Sequence, residues 1–406
     1  MYFEIRKPIG KSAKLNELEY YLEQNKGKSG IVYCATRKAV DAVTEHLISI
    51  GFKASSYHAG MNQAERNTAQ QDFIHDNIEI MVATNAFGMG IDKSNVSFVL
   101  HYNMPKNMES YYQEAGRAGR DGSPAECILL FNAQDIVINK FLIENGESDH
   151  KDRDYQRLRE MESYCLTTKC LRQYILDYFE DNEQCQCDNC SNCRTEYEKR
   201  DITTEAQKIL SCIYRMQGRF GLVMVIEVLR GSQNQKVLNA KLDKLKTYGI
   251  MSENHPNEIR QIAQYLIQQG YIEVIGNQYP VLKAGEKALD TLKNNEAIEM
   301  PIQEVIERTS IKRESKKASP KRQINNALFE QLKSLRLSLA QKESVPAFVV
   351  FSDATLNDMC VKLPVDDVGF LAVSGVGQVK LSKYGADFLK VIRGFQKNID
   401  DTNDKS

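Results

Sequence analysis

A chain of 406 residues with 42% hydrophobic and 26% charged side chains has room for roughly two to four domains with cores of their own, which excludes a wholly disordered polymer. No run approaches the roughly 18 to 20 unbroken apolar residues of a membrane span, and MYFEIRKPIGKSAK has no apolar signal core, so the expected location is the cytoplasm. The net charge of −1 excludes a globally basic nucleic-acid binder, and any basic footprint has to be local.

In the first 147 residues, β-branched apolar runs alternate with amphipathic stretches. Gly30 to Ala35, Lys53 to Tyr57, Ile78 to Ala83, Ser97 to His101 and Glu126 to Phe131 read as strands; Lys38 to Ile50, Asn62 to His75 and Asn107 to Ala115 read as helices. This alternation predicts an α/β lobe with a parallel sheet covered on both faces and functional loops at the carboxyl ends of its strands. The loops that fall there carry Thr36, Arg37, His58, Thr84 and Asn85, which can hold a phosphate backbone through hydroxyls, backbone N–H groups and helix N-termini. Taken singly, each is equally a turn residue or an N-cap.

Met81 to Phe131 holds two glycine-rich turns and a pair of arginines. Arg117 and Arg120 lie three apart, as on one face of a helical turn, and Gly116 and Gly119 leave the backbone open to a close ligand. Two guanidiniums directed at one place suit a polyphosphate, since each fork binds phosphate oxygens bidentately and stays charged at any working pH. The bland alternative for GRAGR alone is a surface turn with solvated arginines.

Ten cysteines in a cytosolic chain call for an explanation other than disulfides. After a charged stretch, Cys170, Cys187, Cys190 and Cys193 follow the pattern C-x16-C-x2-C-x2-C, with Cys165 and Cys185 as spares. Cys165 lies about 140° around a helix from Cys170, so the two cannot face one ion. The polar residues between the last cysteines argue against a core, and the spacing predicts a structural Zn2+ site of four thiolates with no position left for water.

From 200 to 298, a helix with Ile209, Leu210, Ile213 and Met216 on one face, helices over Gln235 to Tyr248 and Ile259 to Gln268, and a hairpin around Gly276-Asn277 suggest a winged helix. A generic helical interaction module is the competing reading. Residues 299–322 are rich in Lys and Arg and read as a flexible basic linker. Beyond it, Leu328, Leu332, Leu335 and Leu339 recur at helical spacing, which predicts a small helical bundle. There Gly375-Val376-Gly377 opens a helix followed by Lys380 and Lys383, an arrangement able to hold phosphate. The last residues, 399–406, read as a disordered tail.

CATR, YHAGM followed by Arg66, VATNAFGMGIDK and SYYQEAGRAGRDG, in this order, resemble the second RecA-like lobe of superfamily 2 helicases, and YYQEAGRAGRDG with AFGMGIDK resembles the RecQ family in particular. The cysteine spacing, RFGLVMVIEVLRGSQNQKV and the VPAFVVF region are similar to that family's zinc module, winged helix (RQC) and HRDC bundle. The resemblance implies a multidomain chain: lobe two over 1–147, zinc module over 148–197, winged helix over 200–298 and HRDC over 323–398. It implies a C-terminal portion of an ATP-dependent 3′→5′ DNA helicase acting in repair or recombination. In that setting Arg117 and Arg120 stabilise charge on the γ-phosphate, Gln113 senses the nucleotide, and Asp92 and Gly90 lie at the same cleft. Thr36, Arg37, His58, Arg66, Thr84 and Asn85 grip DNA, Tyr279 stands near the hairpin tip as a wedge, and Phe348 stacks on single strands.

An ATPase of this type also needs G-x-x-x-x-G-K-[ST] and an acidic magnesium box. Gly27-Lys28-Ser29 has Leu22, and Gly10-Lys11-Ser12 has Ile5, where the first glycine belongs, and no DEAH-like box occurs. The expectation is therefore a chain that starts at lobe two, binds DNA, and hydrolyses ATP with Mg2+ only when a first lobe is supplied in cis or in trans. A single-strand-binding protein is a further candidate partner, no membrane is expected, and a bacterial source would place the protein at the nucleoid. The alternatives are an ATP-independent DNA-binding or regulatory module and, disfavoured by the zinc cluster and HRDC, an RNA helicase.

Overall fold

The structure, a computed structural model, describes residues 1–8, 11–87, 93–146, 148–181, 187–195, 198–276, 280–288, 297–302 and 320–403. In the first lobe, β1 (Tyr2–Arg6), β2 (Gly30–Tyr33), β3 (Ala54–Tyr57), β4 (Ile80–Ala83), β5 (Phe98–His101) and β6 (Glu126–Leu130) form one sheet in the order β1-β6-β5-β2-β4-β3. Every neighbouring pair is parallel. The central strands β2, β4 and β5 are buried along their whole length, as a sheet covered on both faces requires.

Alternation along those strands builds two layers. Val32, Ile80, Val82, Phe98 and Leu100 pack with Leu18, Tyr21 and Leu22 of α1 (Lys11–Gln24) and Val40, Val43 and Leu47 of α2 (Arg37–Ser49). Ile31, Tyr33, Met81, Ala83 and Val99 pack with Ala69 and Phe73 of α3 (Gln63–Ile74). The five expected strands and three expected helices of this lobe are present, the last helix being α4 (Met108–Ala115). β1 and α1 were not anticipated. α1 carries Lys14 on its buried side, where its ammonium meets the buried Asp135 carboxylate at 2.7 and 2.9 Å.

The second unit begins with α5 (Ala133–Glu144), α6 (Lys151–Leu166), α7 (Leu171–Tyr178) and α8 (Ser191–Arg194). It continues through β7 (Glu198–Asp201), α9 (Thr203–Arg215), α10 (Leu222–Arg230), α11 (Gln235–Asn239) and α12 (Pro256–Gln268) to the hairpin β8 (Ile272–Ile275) and β9 (Val281–Ala284). Ile209, Leu210, Ile213 and Met216 are buried in this core, as the periodicity predicts.

Two expectations need correction here. The helix expected over Gln235 to Tyr248 stops at Asn239, because Lys241 takes a left-handed conformation, φ 54°, and only one 3-10 turn (Leu242–Lys244) follows. The linker expected from residue 299 begins instead with a strand, β10 (Glu299–Ile302), which pairs antiparallel with β7.

The last bundle comprises α13 (Pro320–Glu343), α14 (Ala347–Val350), α15 (Asp353–Lys362), α16 (Asp367–Leu371) and α17 (Gln378–Asn403). α13 starts inside the expected linker, and α17 runs to Asn403, into the expected tail. Leu328 and Leu332 enter the core with Phe351, Phe370 and Phe388, while Leu335 and Leu339 are half-buried at its margin. No helix among the described residues is long and apolar enough to cross a membrane.

Candidate functional site

The arginine pair sits on a turn that α4 delivers and the sheet fixes. After Ala115 the chain leaves the helix through Gly116 N–H to Tyr112 C=O (3.0 Å), Arg117 N–H to Glu114 C=O (3.2 Å) and Gly119 N–H to Val96 C=O (2.9 Å). Gly119 has φ 73°, and a Cβ there would stand 2.9 Å from Ala125 Cβ, so this position demands glycine. That left-handed residue corrects the expectation of a shared helical face. Arg117 is half-buried, whereas Arg120 and Gln113 are exposed. Glu114 turns inward to His101, Oε2 to Nε2 2.9 Å, with the imidazole fully buried.

The loops after β2, β3 and β4 lie side by side, because β4 runs between β2 and β3 in the sheet. Thr36 caps α2 by accepting from Ala39 N–H at 3.2 Å, and Arg37 beside it is exposed. Thr84 Oγ1 accepts from Ala86 N–H at 3.4 Å, and Asn85 is exposed. His58 is the least available of the group: Nδ1 accepts from Gly60 N–H at 3.1 Å and Nε2 bonds Asp41 at 2.9 Å. Arg66 donates to Gln63 at 2.6 Å. Gly90 and Asp92 fall outside the described residues.

In the second unit the Sγ atoms of Cys170, Cys187, Cys190 and Cys193 all lie within 4.8 Å of one another. A tetrahedral zinc with Zn–S bonds of about 2.3 Å sets its sulfurs about 3.8 Å apart, so the cluster fits the ion. Two sulfurs also cap helices. Cys170 Sγ accepts from Gln173 N–H at 3.5 Å at the start of α7, and Cys190 Sγ accepts from Cys193 N–H at 3.4 Å at the start of α8. At Cys190 burial acts to raise the thiol, but the N–H groups of Cys193 and Leu171 and the neighbouring Cys193 and Cys170 side chains outweigh it, leaving the group below its usual range. Burial and the adjacent sulfurs push Cys193 up. Cys165 is buried on α6, outside the cluster, and Cys185 lies outside the described residues.

The order of these pieces is matched by four family models: helicase conserved C-terminal domain over 13–122, RecQ zinc-binding over 133–194, RQC domain over 196–309 and HRDC domain over 325–392. The chain belongs to the RecQ family. It is 43% identical to the ATP-dependent DNA helicase RecQ of Bacillus subtilis over 94% of this chain and 63% of the relative. The corresponding figures for RecQ of Haemophilus influenzae are 38%, 93% and 61%. The RecQ-like DNA helicase BLM of Xenopus laevis matches at 28% over 97% of this chain and 31% of its own length. The chain thus spans about three-fifths of the bacterial RecQ relatives.

Within the HRDC bundle of this RecQ chain, Phe348 is half-buried on α14. Lys380 extends its ammonium over the buried Phe351 ring, 5.3 Å from the centroid, and Lys383 is paired with Glu343 at 2.7 Å. Both lysines expected to hold phosphate therefore have internal partners. Tyr279, the expected wedge residue, lies outside the described residues. Sequence reasoning missed the inward-facing residues behind the arginines, Tyr33, His101 and Glu114; the only signal for them was a histidine and a glutamate inside otherwise apolar or helical runs.

Proposed function

We propose that this chain is the C-terminal portion of a RecQ-type ATP-dependent 3′→5′ DNA helicase. In this reading the Gly116–Arg120 turn supplies charge to a γ-phosphate cradled by a first RecA-like lobe, in cis or in trans. The observation that carries it is the pairing of a sheet-anchored arginine turn with a four-cysteine centre in a chain whose 406 residues contain no G-x-x-x-x-G-K-[ST]. Arg120, exposed at the end of the turn, is the finger that reaches the nucleotide; Arg117, half-buried behind it, holds the second position. Gln113 on α4, with Gly90 and Asp92, completes the nucleotide side. Mg2+ and ATP bind only with the first lobe, so this chain alone binds DNA without hydrolysing ATP.

On the DNA side, Thr36, Arg37, Thr84 and Asn85 line the neighbouring loops of the sheet and contact phosphates, with His58 and Arg66 shaping them. Contacts of this kind are independent of base sequence, as a translocating enzyme needs. The hairpin with Tyr279 meets the duplex junction, and Phe348, Lys380 and Lys383 serve the single strand. A single-strand-binding protein fits as a further partner. Zinc, held by Cys170, Cys187, Cys190 and Cys193, is structural, because four sulfurs complete its tetrahedron.

The test compares DNA-stimulated ATPase of the chain alone, of the chain joined to a first lobe, and of the joined form carrying Arg120→Ala. Only the joined parent hydrolyses ATP, and the substitution lowers turnover by about a thousandfold. A joined protein without DNA-dependent hydrolysis, or one indifferent to Arg120→Ala, overturns the motor reading. In that case retained affinity for forked DNA with a steep salt dependence supports the ATP-independent binding module.

A further inference from the structure

Behind the arginine turn lies a polar cluster sealed inside the lobe. His101, at the end of β5, is fully buried, and Tyr33, at the end of β2, stacks on it with ring centroids 5.6 Å apart and planes at 21°. The imidazole bonds Glu114 through Nε2 at 2.9 Å and faces Cys127 Sγ through Nδ1 at 3.9 Å. Tyr111 closes the other side, its ring 5.0 Å from the imidazole and its hydroxyl accepting from the Cys127 thiol at 3.5 Å. The Tyr33 hydroxyl donates to Phe87 C=O at 3.0 Å, and the Arg117 guanidinium stands beside it, close enough to act on it electrostatically. Phe87 belongs to the turn that follows β4.

These contacts tie the ends of β2 and β5, the start of β6 and the turn after β4 into one cluster with Tyr111 and Glu114 of α4. Glu114 is the last inward-facing polar residue of α4, and its carbonyl accepts from Arg117 N–H, so the His101–Glu114 bond fixes where the helix hands over to the turn. Tyr33 then places its hydroxyl, held by Phe87 C=O, beside the guanidinium itself. Burying an imidazole and a carboxylate together is a poor way to stabilise a fold compared with apolar packing. Its cost is understandable if what it secures is a direction.

Resting on the motor reading above, we infer that Tyr33 is a positioning residue for the Arg117 finger and the His101–Glu114 pair one for the turn that carries Arg117 and Arg120. They touch neither nucleotide nor DNA; they aim the guanidiniums. Burial alone would lower the imidazole's pKa, but Cys127 and Glu114 overcome it and raise it to about 9, so the imidazole keeps its proton at neutral pH and its bond to Glu114 is charge-assisted.

The test uses the two-lobed protein and DNA-stimulated ATP turnover. Tyr33→Phe keeps the stacked ring and removes only the hydroxyl, and Glu114→Gln keeps the shape and removes the charge. Each lowers kcat by about ten- to a hundredfold while KM for ATP and affinity for forked DNA stay within about twofold, as expected when a group is displaced and not lost. In single-turnover measurements on an Arg117→Ala background, Tyr33→Phe has no further effect, because the residue it aims is gone. A Tyr33→Phe protein with parental kcat, or an equal loss with and without Arg117, overturns the inference. A parent lacking DNA-stimulated turnover, or an active Arg120→Ala protein, overturns the motor reading instead, so the two failures are told apart.

Discussion

Replacing Cys190 by serine separates two jobs that one sulfur performs. Cys190 Sγ is a member of the four-sulfur cluster and also the N-cap acceptor of α8, bonded to Cys193 N–H. Serine is among the best N-cap residues, so the cap changes by less than about 1 kcal/mol. The metal bond is another matter. Structural zinc contributes roughly 10 to 16 kcal/mol in apparent terms, which divided evenly over four sulfurs is about 2.5 to 4 kcal/mol each. The expected loss in zinc affinity is therefore two to three orders of magnitude. Metal content after purification without chelator, together with limited proteolysis over 165–195, reads this out: Cys190→Ser loses zinc and becomes cleavable there, while Cys165→Ser, outside the cluster, keeps one zinc per chain. A Cys190→Ser protein with full zinc content and parental resistance would refute the assignment of the ligand.

Other expectations follow from particular contacts. Lys14→Met removes the ammonium from the buried Asp135 carboxylate, which also accepts from Asn103 Nδ2 at 2.8 Å and Asn132 N–H at 3.1 Å, and costs about 3 to 5 kcal/mol in urea unfolding of the lobe; adding Asp135→Asn recovers most of it, and no recovery would contradict a charge-burial origin. His101 has a folded pKa raised from 6.5 to about 9, so its contribution to stability is fully present below about pH 6.5 and is lost as pH rises through about 9. Denaturant melts between pH 6 and 9.5 should show that decline in the parent and a flatter profile in His101→Gln, where Tyr33, Tyr111, Cys127 and Glu114 still face the site. Glu343→Gln releases Lys383 from its partner and should raise single-strand affinity a few-fold at low salt, an effect that disappears when Lys383 is also replaced.

What could be read from the sequence was what local spacing encodes. The zinc ligands needed only their intervals, and the central strands needed only their continuous apolar runs. α1 escaped because Lys14 occupies the place one turn before Leu18 on its buried side and breaks the apolar period; its reason for being there, Asp135, lies 121 residues away. α10 escaped because LVMVIEVLR is apolar nearly all round and shows no period. β7 reads EKRD, exposed and charged, and is a strand only because β10 pairs with it. The arginines were legible as residue types, but the cluster that holds them was not, since Tyr33, His101 and Glu114 come from two strands and a helix. The aromatic partner of Lys380 and the acidic partner of Lys383 were not legible, because they come together with the lysines only in the folded bundle.

The ladder between β7 and β10 has a mechanical meaning. Glu198, where the chain enters the winged helix, is the register partner of Ile302, where it leaves, and the pairing runs inward from there through Lys199 with Pro301, Arg200 with Met300 and Asp201 with Glu299. Tension along the polypeptide is applied across that outermost pair and opens the ladder like a zip, one rung after another, before any of it reaches the helices within. The ladder thus stands between a pull on the flanking chain and the helices it encloses, and its outermost rung is the first to carry the load.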